Sequence, residues 1–280
     1  MKKATTLFII FFAVFTVVGQ HDKERTIETF DDTRVVNGHS VETQKEGSMK
    51  FIIAHRFGAI NSGIHQLGGL DNSQIRFGFD YGISDNITIG VGRSSFEKNL
   101  DGFVKVKLLH QSQEGSPISL VAFQSADIFT FETFQPFDIE TKYRWNYVTQ
   151  LLLARKFSDR LSLQVMPTYV HKNLVETSDL DNDILSVGAA GKVQLTKILS
   201  FKAEYYYTLP DQLLDANTNS LALGFDIETK HHVFQMHLGN SRGMIERYFI
   251  SETFGKWSDA DIMFGFNITR DFQIKGRKYK

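Results

Sequence analysis

The chain has no cysteine and only 4 prolines among 280 residues. Without a thiol there are no disulfides, cysteine nucleophiles, thiolate metal sites or lipid attachment through an N-terminal cysteine. No charge of one sign prevails: 31 basic against 32 acidic residues leave a formal charge of −1, so nothing calls for a nucleic-acid partner. Beyond the first twenty residues no apolar run is long enough to cross a bilayer as a helix, and a mean hydropathy of −0.20 excludes a bundle of such helices. No stretch keeps a 3.6-residue period, and glycine-rich phosphate loops, EF-hands and Gly-x-Ser-x-Gly elbows are missing. What the chain does have is 25 phenylalanines and 42% hydrophobic residues, which excludes a disordered polymer.

The N-terminus reads as an address. Lys2 and Lys3 precede an apolar run from Leu7 to Val18, and Val17 and Gly19 stand at −3 and −1 before Gln20. That pattern predicts a cleaved signal peptide over 1–19, hence export to a bacterial envelope. The organisation expected is therefore a signal peptide (1–19), a periplasmic lead (20–48) and a barrel (49–280).

From Met49 onward apolar and polar residues alternate, as in Ile75, Phe77, Phe79, Tyr81 and in Leu221, Leu223, Phe225, Ile227. Period two is the mark of strands with unlike faces. About twelve are predicted, near 49–57, 73–83, 86–94, 102–110, 117–124, 141–155, 160–171, 184–196, 199–207, 218–228, 231–240 and 261–270. The alternation is most blurred around Ile118 to Phe123. Links after even-numbered strands are mostly tight (Ser84-Asp85, Lys197-Ile198, Thr229-Lys230), whereas 58–72, 125–140, 172–183, 208–217 and 241–260 are long. Short turns on one rim and long loops on the other characterise an outer-membrane barrel with its short rim in the periplasm.

Alternation does not tell inside from outside: a soluble barrel turns its apolar face inward, a membrane barrel outward. Here the apolar face is bulky and aromatic, with Tyr143, Trp145 and Tyr147 as an interfacial cluster, while the polar face carries Gly78, Gly82, Gly90, Gly188, Ala190, Ala222, Gly224 and Gly265. The fold class expected is all-β: a single antiparallel transmembrane β-barrel of about twelve strands, outer-membrane type.

Several segments carry a resemblance: Asn37-Gly38-His39-Ser40-Val41-Glu42-Thr43, His55-Arg56-Phe57-Gly58, Gly69-Leu70-Asp71, Gly92 to Lys98, Gly102-Phe103 and Lys105 to Leu109. Through them the chain resembles a family of uncharacterised outer-membrane β-barrel proteins of Bacteroidota, a domain of unknown function. The resemblance is dense over residues 30–110 and continues through the barrel pattern. It implies fold and location, and no activity.

Candidate chemistry is thin. His39-Ser40 with Asp31, Asp32 and Glu42 nearby has the residue types of a hydrolase, but a nucleophile needs a base within hydrogen-bond reach, and a tight turn explains the same residues. His231 and His232 point to opposite strand faces and His237 stands alone, a poor metal site. The expectation is no catalytic site, no metal, no cofactor and no enzyme. Arg93 to Lys98 reads as a rim salt-bridge cluster. The Phe-rich stretch Asp127 to Phe137 reads as a hairpin extension or tucked loop, with a partner surface as the alternative.

Alternate positions place Lys50, Arg56, Arg76, Lys105, Lys107, Arg144, Lys192 and Lys202 inward as bases, and Asp80, Glu204, Asp226 and Glu228 as acids. An excess of basic charge inside a barrel biases which ions enter. The function expected is a narrow channel for small hydrophilic solutes, anions preferred, with the preference reduced or reversed by Lys105→Glu with Lys107→Glu. Alternatives are a plugged barrel that anchors an envelope partner and, more remotely, an outer-membrane hydrolase. Partners expected are outer-membrane lipid, a small solute and a periplasmic or surface protein, without nucleic acid.

Overall fold

The computed structural model describes residues 29–131, 139–175, 177, 180–229 and 232–275. The expected signal peptide and the first part of the lead lie outside the described residues, as do His231 and residues 132–138 of the Phe-rich stretch.

Twelve strands close into one barrel: β1 (Ser48–Ala59), β2 (Ser73–Ser84), β3 (Ile87–Ser94), β4 (Leu100–Leu109), β5 (Ser119–Ile128), β6 (Trp145–Lys156), β7 (Leu161–Lys172), β8 (Asp183–Gln194), β9 (Leu199–Thr208), β10 (Ser220–Glu228), β11 (His232–Gly239) and β12 (Met263–Gln273). Each pairs antiparallel with its chain neighbours, and β1 closes on β12 with Ile53 opposite Ile268. Closure leaves no edge strand, so every strand backbone finds its partners within the sheet, as a lipid environment requires. All twelve strands fall where alternation places them. The even count sets both ends of the sheet on the short-turn rim.

Side chains sort by parity. Phe77, Phe79, Leu163, Val165, Leu185, Val187, Tyr205, Tyr207, Phe225 and Met236 are exposed on the outer face, while Arg76, Asp80, Gln164, Ser186, Glu204 and Asp226 are buried. Apolar side chains therefore face out, as in a membrane barrel.

β5 explains its own blurred pattern. Val121 and Phe123 point inward and are fully buried beside Val148, Leu152 and Met166, so both faces of this strand are apolar where one half of the lumen is apolar. The residues ahead of β6 differ from expectation. Thr141–Arg144 form a 3₁₀ turn, not the start of a strand. In β7, Pro167 has no N–H to give, and the β6–β7 ladder is interrupted opposite it, between Gln150↔Thr168 and Leu153↔Val165, with the register kept.

The larger difference concerns the lead. Residues 29–47 do not extend away from the sheet; they run inside it, with Phe30, Val35, Val36, Val41, His39 and Ser40 buried. The reason is complementarity. A lumen lined by lysines on one side and by Phe103, Val121 and Phe123 on another matches a segment with acids and valines of its own.

Candidate functional site

The inserted segment is a small hairpin. Arg34 and His39 form an antiparallel bridge, Val35 N–H donates to the Gly38 carbonyl at 2.8 Å, and Ser40 N–H donates to Thr33 at 3.0 Å. Its tip, Val36-Asn37-Gly38, reaches β9. There the Glu204 carboxylate accepts the N–H groups of Asn37 at 2.8 Å and of Val36 and Gly38 at 3.1 Å. The returning limb leaves at the short-turn rim, where Gly47 N–H donates to Gly82 at 2.9 Å and the chain enters β1. Gly82 is required there, because a Cβ would lie 2.1 Å from the Lys45 carbonyl oxygen.

Wall side chains satisfy the hairpin's backbone, as they must where water is excluded. Gln235 donates to Val35 O at 2.6 Å, Asn267 to Val36 O at 3.1 Å, Gln164 to His39 O at 2.8 Å and Lys105 to Glu42 O at 2.5 Å. Wall bases meet the hairpin's acids. Lys50 reaches Asp32 at 2.5 Å, Lys192 reaches Asp31 at 2.6 Å, and Lys107 lies 3.5 Å from Glu42. In return Arg34 reaches Asp80 at 3.2 Å. Burial raises the Asp32 carboxyl, but the Lys50 ammonium beside it outweighs this and holds it down at about 2.

Among the residues that alternation points inward, Lys50, Arg56, Arg76, Asp80, Lys105, Lys107, Lys192, Lys202, Glu204 and Asp226 are all buried in the barrel. Arg56 donates to Asn37 at 2.7 Å; Arg76 forms a two-pronged pair with Asp101; Lys202 pairs with Asp226. Arg144 is placed otherwise. It sits in the turn before β6 and braces a loop, donating to the carbonyls of Ile139 at 3.0 Å and Phe131 at 3.1 Å. Glu228, at the end of β10, is half-buried on the short-turn rim.

A second segment enters the barrel from the long-loop rim. Between β11 and β12 the chain folds inward through the helix α1 (Glu246–Ser251), all of whose residues are buried. Arg247 reaches Glu252 at 2.6 Å, Asp127 at 3.1 Å and Glu97 at 3.3 Å, and the Tyr248 hydroxyl donates to Glu97 at 2.6 Å. Lys172 lies 3.5 Å from Glu252. The Arg93 to Lys98 segment thus fastens this cap through Glu97, while Arg93 itself donates to Lys98 O and Thr130. Phe129 of the Phe-rich stretch is buried against Phe131 and the Arg144 guanidinium.

Hairpin and cap meet at His39 and Glu246, 3.5 Å apart. His39 Nδ1 faces Arg34 at 2.8 Å, and its ring packs on Phe103 and Phe123. Burial among the cations Arg34, Lys105 and Arg76 keeps this imidazole well below its ordinary pKa, hence neutral. Nδ1 therefore accepts from Arg34, leaving Nε2–H to face Glu246. Ser40 Oγ donates to Asp32 O at 2.6 Å and accepts from Glu42 N–H at 3.1 Å. His39 and Ser40 are thus each engaged elsewhere and do not form a nucleophile–base pair. His237 faces inward and is buried, while His232 stacks on Phe234 at the outer face.

Sequence reasoning missed Arg34, Asp101, Asp127, Glu246 and Arg247 as lumen groups and Asp31, Asp32 and Glu42 as its counter-charges. One signal was available: a basic excess on the wall needs acids, and the nearest unassigned ones precede β1.

A closed twelve-stranded sheet, apolar outside and charged within, defines a transmembrane β-barrel. The chain belongs to the family described as "Membrane bound beta barrel domain" (DUF5777), whose model matches residues 30–272. In fold it is similar to the NanC porin, at 9% identity and a TM-score of 0.50 over 81% of this chain and 100% of that one. It is likewise similar to an outer membrane channel from Pseudomonas putida F1, at 11% identity and a TM-score of 0.50 over 83% and 98% of the two chains. No curated protein sequence matches it significantly.

Proposed function

We propose that this protein is a porin-type barrel of the bacterial outer membrane that its own N-terminal hairpin holds shut, a gated passage for small hydrophilic solutes with a preference for anions. The observation that carries this reading is the match of charge. The basic excess of the wall is met by Asp31, Asp32 and Glu42, which belong to a segment outside the sheet. A barrel built only as a solid anchor has no need of buried ion pairs, because apolar side chains of similar volume fill space at no greater cost. With the hairpin withdrawn, the same wall is a lysine-lined path. The signal peptide and periplasmic short-turn rim belong to this reading, since the hairpin then enters from the periplasm.

Single-channel recording on the full refolded chain tests it. The wild type should stay closed, and Asp31→Lys with Asp32→Lys, which sets like charges against Lys50 and Lys192, should conduct with anion preference. Steady conductance by the wild type overturns the gate. The filled-anchor alternative has its own observation, the apolar contact of Phe30, Val35, Val36 and Val41 with Phe103, Val121 and Phe123. It takes the gate's place if neither chain conducts.

A further inference from the structure

Asp31 and Asp32 are consecutive, and each carboxylate is seated among donors from the wall. Asp31 Oδ1 lies 2.6 Å from Lys192 Nζ; its Oδ2 accepts from Ser200 Oγ at 2.7 Å, with Lys202 Nζ 3.7 Å away. Asp32 Oδ1 lies 2.5 Å from Lys50 Nζ, and its Oδ2 accepts from Thr269 Oγ1 at 2.8 Å. The donors stand on β1, β8, β9 and β12, and every one is buried. Three ammonium groups and two hydroxyls converge on two carboxylates from two parts of the wall, β12–β1 and β8–β9.

We propose that this convergence is a binding site for a small soluble dicarboxylate, occupied in cis by the Asp31-Asp32 pair. The inference rests on the reading that the hairpin can leave. Once it does, the wall keeps three buried ammonium groups against two wall carboxylates, Asp226 beside Lys202 and the half-exposed Asp271 3.5 Å from Lys50, and Lys192 has none among the described residues. Uncompensated buried charge is costly, so an anion that restores both contacts is favoured over an empty site. Lysines with hydroxyls suit carboxylates of varied geometry, whereas a planar guanidinium fork would demand one orientation. A monocarboxylate fills one seat and leaves the other unpaired. The tether holds the aspartates at an effective concentration on the order of millimolar, so a free dicarboxylate competes only where the hairpin is weakened.

The test uses the full chain folded in detergent, with Asp31→Asn/Asp32→Asn and the milder Asp32→Asn, each checked for heat-dependent migration on a gel. The probe is N-acetyl-Asp-Asp-amide, titrated by calorimetry, with N-acetyl-Asn-Asn-amide and acetate as controls. The double variant should bind the diacid with one-to-one stoichiometry, at least tenfold more tightly than the wild type or than it binds either control. Adding Lys192→Gln and Lys202→Gln should weaken binding at least tenfold. The proposal is overturned if neither folded variant binds, if the wild type binds equally well, or if the lysine changes have no effect. Conductance of the same variants separates the two ideas. A variant that conducts without binding sinks the site and keeps the gate, and one that binds without conducting supports the site and sinks the gate.

Discussion

The carboxylate of Glu204 on β9 accepts the backbone N–H of Asn37 at 2.8 Å, although 167 residues separate the two in the chain. With the N–H groups of Val36 and Gly38 beside it, a wall side chain supplies the acceptors that the hairpin tip lacks in its own backbone. Hydrogen bonds to a charged acceptor are worth roughly twice a neutral one, so this single residue seats the tip.

The fit at the tip leaves no room for a methyl group. A Cβ on Gly38 would lie 2.2 Å from the Tyr206 hydroxyl. Gly38→Ala should therefore cost about 1–3 kcal/mol and loosen the hairpin, read as faster limited proteolysis within residues 29–47. Tyr206→Phe in the same chain removes the opposing oxygen and should restore most of the protection. Full protection in Gly38→Ala alone would show that the tip is not packed as described.

The two faces of β7 and of β10 should respond to different changes. Leu163 and Phe225 are exposed on the outer face, so Leu163→Arg or Phe225→Arg should cost about 2–4 kcal/mol near the membrane midplane. Their lumen neighbours are held differently: Gln164 donates to the His39 carbonyl at 2.8 Å, and Ala222 is fully buried. Gln164→Leu should strand that carbonyl and cost about 1–3 kcal/mol in urea unfolding from lipid vesicles. It should leave the heat-dependent gel shift intact.

Glu246 makes the contact between hairpin and cap sensitive to pH. Burial pushes its carboxyl up to about 7 from the ordinary 4.5, against the pull of Arg34 and Arg76 and with the push of Asp101. Below pH 4.5 the group is protonated whether the chain is folded or not. As pH rises through 7 the folded state must bury a charge, so stability is lost over that window, by at most about 3 kcal/mol. His39, with its pKa lowered, acts in the opposite sense: its contribution is present above pH 6.5 and is lost as pH falls. Glu246→Gln keeps His39 and removes the titration. The stability of the wild type relative to this variant should thus fall between pH 4.5 and 8. A constant difference would place Glu246 in contact with water.

Arg247 is the clasp of the cap, with Glu252, Asp127 and Glu97 around one buried guanidinium. Arg247→Gln leaves those carboxylates without their shared cation, a change that costs about 3–5 kcal/mol when a buried pair is broken. The loss should be local: protease cleavage between β11 and β12 should accelerate while the barrel keeps its heat-dependent gel shift. Simultaneous loss of the whole barrel would mean that cap and sheet unfold as one unit.

The strands were legible because a barrel wall obeys a local rule. Each residue faces lipid or lumen by parity, and a run such as Ile75 to Tyr81 states that rule without reference to anything else. Parity breaks at β5, where Val121 and Phe123 are apolar on the lumen side, and at Arg144, where an expected strand start is a turn. Both exceptions arise from segments outside the ladder: the hairpin's apolar side meets β5, and the loop ahead of β6 takes up Arg144.

By itself the sequence determined the closed sheet, its strand count, its short and long rims and the basic surplus of its inner wall, because period two and turn chemistry act between near neighbours. It left open what the surplus was for. Only the tertiary structure decided that, by bringing Asp31 against Lys192, 161 residues away, with Lys202 beside it, while Asp32 meets Lys50, 18 residues on. Whether a lumen lined by lysines holds water, solute or its own chain depends on long-range packing and charge compensation, and no local pattern in the sequence encodes that pairing.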